Sequence, residues 1–371
     1  LFATFAGVKQ MMMRLHVFNP EHDLALAAGR LRFTTPFAGR RLRRDVGFLP
    51  ALWAAEGDVV LVDDMAVAQA ALAPWTVMAG VRLADRAMLT RLMRSHEITE
   101  VCPWGWDLAL RHELSACGVP AALMPSDEAL ERIRAVSHRA WAARHLLPRL
   151  LSVPGTVGEA WQVHSVDEVR QLAARHAGLV VKAPWSSSGR GVSYLPDRSG
   201  LGTAEIDGPA ANRMSNIIGK QGSVMVEPLY DRVADFGVEF VSDGHGQVGC
   251  LGLSLFQTRN GAYTGNIVDS EPEKRRRLAA KVSLSMVDRV TARVAEVLSP
   301  LFDGVYAGPF GLDMMVVRTD GGLMLHPCVE LNLRMTMGHV ALALADGRHV
   351  LPATMRVDFD GNYHFSLSPS C

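Results

Sequence analysis

Three short apolar runs in the first third of the chain read as buried strands: Arg14–Phe18, Asp58–Val62 (DVVLV) and Ile98–Cys102 (ITEVC). Each runs into a polar or turn-rich loop, NPEHD, DDM and PWGWD in turn, and helix-like segments fill the intervals. Strands alternating with helical patterns imply a parallel sheet with crossover helices. Ligands of such sheets gather outside the carboxyl ends of the strands, where these three loops fall. Residues 13–134 therefore read as an α/β N-terminal domain with an open parallel sheet.

A helical stretch follows, SDEALERIRAVSHRAWAARHLLPRL, in which Ser126 with Asp127 and Glu128 makes a reasonable helix start. Pro148 and the LLSVPGTV segment mark the crossing into a strand-rich region. Strands are predicted at Leu179–Lys182, Ser223–Glu227, Gly237–Val241 and Val248–Leu253. One long helix is predicted over Glu273–Leu298, then two last strands, Phe310–Arg318 and Met324–Leu333. No internal repeat or low-complexity segment is visible.

The 371 residues suffice for about two or three domains, each with a core. Apolar content of 49% and charged content of 20% are ordinary for a globular enzyme. The net charge of zero gives no sign of a surface built for nucleic acid. No apolar run approaches the roughly 20 residues of a membrane span. The opening LFATFAGVKQMM lacks the features of a signal peptide, and a natural start within Met11–Met13 is expected. Cysteines 102, 117, 250, 328 and 371 show no CxxC spacing, which favours the cytosol over a disulfide framework.

Lysine is scarce, standing only at positions 9, 182, 220, 274 and 281. Lys182 ends the apolar strand of LVVKAPWSSSGRGV, where burial demands an anionic partner. Ser186, Ser187, Ser188, Gly189, Arg190 and Gly191 follow. Glycines allow close backbone approach, serines add hydroxyl donors, and amides turned inward make an anion nest. The set suits phosphate, without the GxxxxGK[ST] spacing of a Walker A loop. A Ser/Gly hairpin beside a lysine ion pair fits the same residues equally well.

Further on, PFGLDMMVV sets Asp313 inside an apolar strand, and MLHPCVELNLRMTMG repeats Glu330, Asn332 and Arg334 with period two. Side chains alternate along a strand, so these three, with His326 and Cys328, are expected on one face. Two carboxylates and an amide oxygen on adjacent strands form an oxygen-only site suited to Mg2+ or Mn2+. Arg334 is placed to hold phosphate or carboxylate bidentately. The alternative is a strand whose polar face is simply solvated. In SVMVEPLYDRVADFGVEFV, a strand ends at Glu227 and Asp235 opens the next. Such an edge can read adenine and ribose, although a plain hairpin explains it too.

The order of lysine strand, glycine-rich loop, Glu-Pro hinge, Asp strand and Glu-x-Asn-x-Arg resembles the ATP-grasp superfamily. KAPWSSSGRGV and ELNLR are similar to the corresponding motifs of biotin carboxylase, and the resemblance covers roughly residues 135–345. It implies α+β ATP-grasp domains over 135–371, with the nucleotide lid in 135–240 and the metal residues in 241–371. Lys182 would contact the α- and β-phosphates, and the Ser186–Gly191 loop would close over them. Glu227 would face adenine, and Asp235 ribose. Asp313, Glu330 and Asn332 would hold a pair of magnesium ions, and Arg334 would steady the transferred phosphoryl group. Arg139, in SHRAW, matches a further basic residue of the family. The three serines depart from a glycine-rich loop, and no biotin-handling segment is recognisable, so carboxylase activity is not carried over.

The resemblance implies an ADP-forming ligase that activates a carboxylate as an acyl phosphate for attack by an amine or thiol. An ATP-grasp phosphotransferase, or a nucleotide-binding module without turnover, remains as an alternative. Candidates for holding a small-molecule or peptide substrate are Asn19, Glu21, His22 and Asp23, then Trp104, Trp106 and Asp107, and finally Arg259, Tyr263 and Asn266. Polar turns, and a hydrophobic cap for the tryptophans, explain these residues equally well. Arg275, Arg276 and Arg277 read as a solvated helix face. Relatives are often homodimers, but no motif here fixes an interface.

Overall fold

The computed structural model describes residues 13–95, 97–186, 191–197, 200, 202–259, 262–345 and 351–369. Along the chain the first strands are β1 (Met13–Val17), β2 (Val59–Leu61), β3 (Arg82–Ala84), β4 (Ile98–Pro103), β5 (Trp161–Val163), β6 (Gly178–Lys182), β7 (Val192–Pro196) and β8 (Val224–Pro228). Then come β9 (Asp231–Asp243), β10 (Val248–Ser254), β11 (Phe256–Arg259), β12 (Ala262–Val268), β13 (Ala307–Thr319), β14 (Gly322–Asn332), β15 (Ala353–Phe359) and β16 (Tyr363–Pro369). The result is a mixed α/β protein with one parallel sheet and several antiparallel ones.

The chain divides into two compact units: unit 1 is residues 1–133, 264–270 and 334–371, and unit 2 is 134–263 and 271–333. Two later segments, 264–270 and 334–371, thus belong to the first unit. Burial explains the return. Val268, Met335, Val340, Met355 and Phe365 share one core with Phe18, Phe48, Leu52 and Trp104. Each large side chain so buried contributes roughly 1.5–3 kcal/mol, and local periodicity carries no mark of it.

In unit 1 the parallel sheet has the order β3-β2-β1-β4. Val60 and Val62 face the core just described, while Leu15, Val17, Val59 and Leu61 pack on the other side with Leu89, Leu110 and Leu114. A parallel sheet covered on both faces needs such continuous apolar strands. β12, β15 and β16 pair antiparallel in the same unit.

Unit 2 contains two antiparallel sheets, β5-β8-β6-β7 and β10-β9-β13-β14. On β9 and β13, Phe236, Val238, Phe240, Phe310, Leu312 and Met314 are almost fully buried. Phe240 and Phe310 stack with centroids 5.1 Å apart, and Phe302 of the helix Leu284–Phe302 meets Phe310 edge-on at 5.2 Å. With one face of this sheet so filled, the alternate residues turn to the other face.

Two helical stretches differ from the pattern. The predicted helix Glu273–Leu298 is two helices, Glu271–Ala279 and Leu284–Phe302. Ser283 takes the capping position of the second, where serine is favoured. The stretch after Ser126 is three: Asp127–Val136, Arg139–His145 and Leu147–Leu150, with Pro148 in the first turn of the last. Among the described residues no helix is long and apolar enough to cross a membrane, and the described cysteines are free thiols.

Candidate active site

Lys182 closes β6, in register with Met225 of β8, and neighbouring Val180 pairs Glu227. Its ammonium donates to Glu227 Oε2 at 2.7 Å and to the Val329 carbonyl at 3.2 Å. Of the two partners the sequence left open, the structure therefore contains the carboxylate. Both side chains are largely buried (8% and 12% exposed), so each charge depends on the other.

Arg139 opens the helix Arg139–His145 and reaches across to the same region. Its guanidinium donates to the Ala183 carbonyl, to Ser186 Oγ at 3.0 Å and to Glu330 Oε1 at 2.5 Å. Gly191 sits where a Cβ would lie 2.6 Å from Ser186 Oγ, so the chain closes tightly on that serine. Ser187, Ser188, Gly189 and Arg190 lie outside the described residues.

Cross-strand register assembles the acidic row. Asp313 of β13 lies opposite Glu330 of β14 and Gly237 of β9, while Gly311 lies opposite Asn332 and Glu239. Directly opposed residues share a face, so Asp313, Glu330, Asn332 and Glu239 all project from one side. Gly237 makes room among them: a Cβ there would stand 3.3 Å from Asp313 Oδ1 and 3.5 Å from Glu239 Oε1. Asn332 Nδ2 donates to Asp313 Oδ2 at 3.3 Å, which turns the amide oxygen away from that carboxylate. Glu239, 2% exposed, escaped the sequence reading. Its signal was the alternation D-F-G-V-E, visible only once the opposing strand is known.

Electrostatics tie these groups together. Burial pushes the Cys328 thiol up to about 12, reinforced by the carboxylates of Glu227, Asp313 and Glu330 and opposed by Lys182. Burial, with Lys182 nearby, holds the His326 imidazole down to about 3. Asp235 sits above the usual carboxylate range through burial, partly offset by Arg232, which bonds it at 2.9 Å. A cavity of about 20 Å³ is bordered by Arg139, Glu227, Glu330, Cys328 and Met225.

The oxygen donors of Asp313, Glu330, Asn332 and Glu239 suit a hard cation. Among the described residues no three His, Cys, Asp or Glu side chains stand ready-clustered for a metal. The ion pair of Glu330 with Arg139 shows where one donor is engaged instead. The Cys328 amide donates to His326 Nδ1 at 3.4 Å.

Arg334 differs from its predicted placement. β14 ends at Asn332, so the period-two face does not extend to it. Arg334 belongs to unit 1, where its Nε donates to Asp23 Oδ2 at 3.0 Å. The other candidates of unit 1 divide between network and core. Asp107 accepts from Leu110 N at 2.9 Å as a helix cap, from His22 Nδ1 at 3.0 Å and from Asn19 Nδ2 at 3.3 Å. Trp104 is a core residue, edge-on to Phe18 at 4.9 Å, and Trp106 packs on the opposite core. Asn266 is buried in β12 opposite Met355. In unit 2 burial raises the Tyr263 hydroxyl well above its ordinary value. The Arg259 side chain lies outside the described residues. Arg275 and Arg276 form ion pairs with Asp288 and Glu273, both at 2.8 Å, on the helix surface.

No family model matches the sequence, and no curated protein does. Solved structures do match. The biotin carboxylase domain of the Hydrogenobacter thermophilus 2-oxoglutarate carboxylase, determined with MgADP, ADP and bicarbonate, aligns over 94% of this chain and 75% of its own. The TM-score is 0.53 at 13% identity. Biotin carboxylase from Campylobacter jejuni, determined as a β-γ-ATP complex, aligns over 93% of this chain and 75% of its own, with a TM-score of 0.50 at 12% identity. The chain has the ATP-grasp fold, as its ordered motifs imply.

Proposed function

We propose that the protein is an ATP- and magnesium-dependent ligase that activates a carboxylate as an acyl phosphate, couples it to an amine, and releases ADP and phosphate. The observation that carries this reading is the convergence within unit 2 of two cations, Lys182 and Arg139, with an all-oxygen row on one sheet face. Structural neighbours with ATP-grasp folds, solved with adenine nucleotides, support it.

In this reading Lys182 and Arg139 exchange the carboxylates of Glu227 and Glu330 for phosphate oxygens. Both cations are already held, so little side-chain freedom is lost on the exchange. Asp313, Glu330 and Asn332 would hold magnesium, which would offset the negative charge on the transferring phosphoryl. Ser186 faces the phosphates, and Asp235 takes the ribose. A carboxylate oxygen of the first substrate bonds to the γ-phosphorus as the bond to the bridging oxygen breaks, releasing ADP. The amine nitrogen then bonds to the acyl carbon, phosphate leaves, and the amine gives up a proton.

The test measures ADP and free phosphate together, from Mg-ATP with pooled amino acids, small peptides and organic acids, beside Lys182→Ala. Both products rising in one pool and vanishing in the variant supports the ligase. ADP without phosphate makes the protein a phosphotransferase, and binding without either product makes it a nucleotide-binding module.

A further inference from the structure

Unit 1 contains a cavity of about 830 Å³ that the nucleotide chemistry does not use. It opens where the loops after β1, β2 and β4 emerge, with Asn19, Glu21, Asp63 and Asp107 in its wall. The strand order β3-β2-β1-β4 reverses direction between β1 and β4. Open α/β sheets bind ligands outside the carboxyl ends of the strands at such a reversal.

The floor is built for a hydrogen-bond donor. Glu21 has its side chain 8% exposed, and its Oε1 accepts from Arg43 Nη1 at 3.0 Å. Its Oε2 is buried in the cavity wall with no hydrogen-bond partner among the described residues. An unsatisfied buried acceptor is destabilising, and a ligand N–H would satisfy it. Arg43 cannot attract a further anion there. Its guanidinium already faces Glu21, Asp63 at 3.5 Å and Glu113 at 2.6 Å.

The rim has the opposite character. Arg32 and Arg40 line it, are exposed, and pair with no carboxylate among the described residues. Arg40 lies one turn before Arg43 on the helix Phe37–Val46, and residues three apart on a helix are neighbours, about 5–6 Å between Cβ atoms. The cavity thus presents an acceptor in its wall, beside Arg43, and exposed cations at its rim.

We propose that this cavity binds a small zwitterion of the amino-acid class, its ammonium on Glu21 and its carboxylate on Arg40 and Arg32. Binding rests on unit 1 alone and requires neither nucleotide nor metal. An inorganic phosphate satisfies only the rim, and a simple amine only the floor.

The experiment is calorimetric titration of the full chain, without nucleotide, with the proteinogenic amino acids, β-alanine and γ-aminobutyrate, one at a time. The best binder is then compared with its amine-free and carboxylate-free analogues and with inorganic phosphate. The expected result is saturable binding by one or a few zwitterions. Loss of either charged group, Glu21→Gln, or Arg40→Ala should each weaken binding by roughly tenfold or more. Arg40 is exposed, so its variant folds even where Glu21→Gln does not. Binding that persists in Lys182→Ala stands independently of the ligase reading. The proposal is overturned if no zwitterion in the panel binds, if phosphate binds more tightly than all of them, or if Arg40→Ala leaves affinity unchanged.

Discussion

Arg139 Nη2 donates to Glu330 Oε1 at 2.5 Å while Nη1 of the same guanidinium donates to Ser186 Oγ at 3.0 Å. One cation therefore joins the loop that follows the Lys182 strand to the acidic row on β14. Arg139→Ala should weaken nucleotide binding by about tenfold and lower stability by about 1–3 kcal/mol, because Glu330 and Ser186 both lose a charged donor. Arg139→Lys should recover only part of either loss, since an ammonium cannot span both partners as the planar fork does. Nucleotide titration and urea melts of the two variants check this.

The Lys182–Glu227 pair predicts a coupled result. Lys182→Met leaves a largely buried Glu227 without its cation and should cost about 3–5 kcal/mol. Removing both charges, as Lys182→Met with Glu227→Gln, should cost less than the lysine change alone. A urea-melt double-mutant cycle reads the difference, and additive losses would count against mutual dependence.

Gly237 predicts a loss confined to metal use. A methyl at this position stands 3.3 Å from Asp313 Oδ1 and 3.5 Å from Glu239 Oε1, where it crowds the carboxylates without touching the aromatic core on the other face. Gly237→Ala should raise the magnesium concentration needed for half-maximal activity by about tenfold and change the melting temperature little. Glu239→Gln should raise it too, because the variant removes a negative charge from the row. Magnesium titrations at saturating ATP measure both.

The strands bearing Lys182, Asp313 and Glu330 are legible in sequence because each is an apolar run broken by a single charged residue. A charge that interrupts a buried strand needs a reason, and that reason is local. Glu239 was not legible, since its membership of the row depends on β9 pairing with β13, a long-range register that alternation alone does not disclose. Arg334 misled for a related reason. Period two holds only while the strand lasts, and β14 stops at Asn332. The return of residues 264–270 and 334–371 to unit 1 is a core-packing outcome carried by Val268, Met335 and Met355, which read locally as ordinary apolar positions.

His326 predicts an acid-sensitive stability. It is 1% exposed, and burial with the Lys182 charge holds its pKa at about 3, below the ordinary 6.5. The folded state thus keeps the imidazole neutral while the unfolded chain takes up a proton. Its contribution is fully present above about pH 6.5 and is lost as pH falls toward 3, at up to about 1.4 kcal/mol per pH unit. Urea melts at about pH 7 and about pH 5 should show a steeper loss in the wild type than in His326→Gln. Equal slopes would remove His326 as the cause.

Calorimetric titration with ADP, with and without magnesium, of the wild type, Lys182→Ala and Glu330→Ala reads the nucleotide site directly. The wild type should bind MgADP more tightly than ADP, Lys182→Ala should bind both weakly, and Glu330→Ala should lose the magnesium dependence. Equal affinity in all three proteins, with or without the metal, would contradict a magnesium–nucleotide site built on Lys182 and the acidic row.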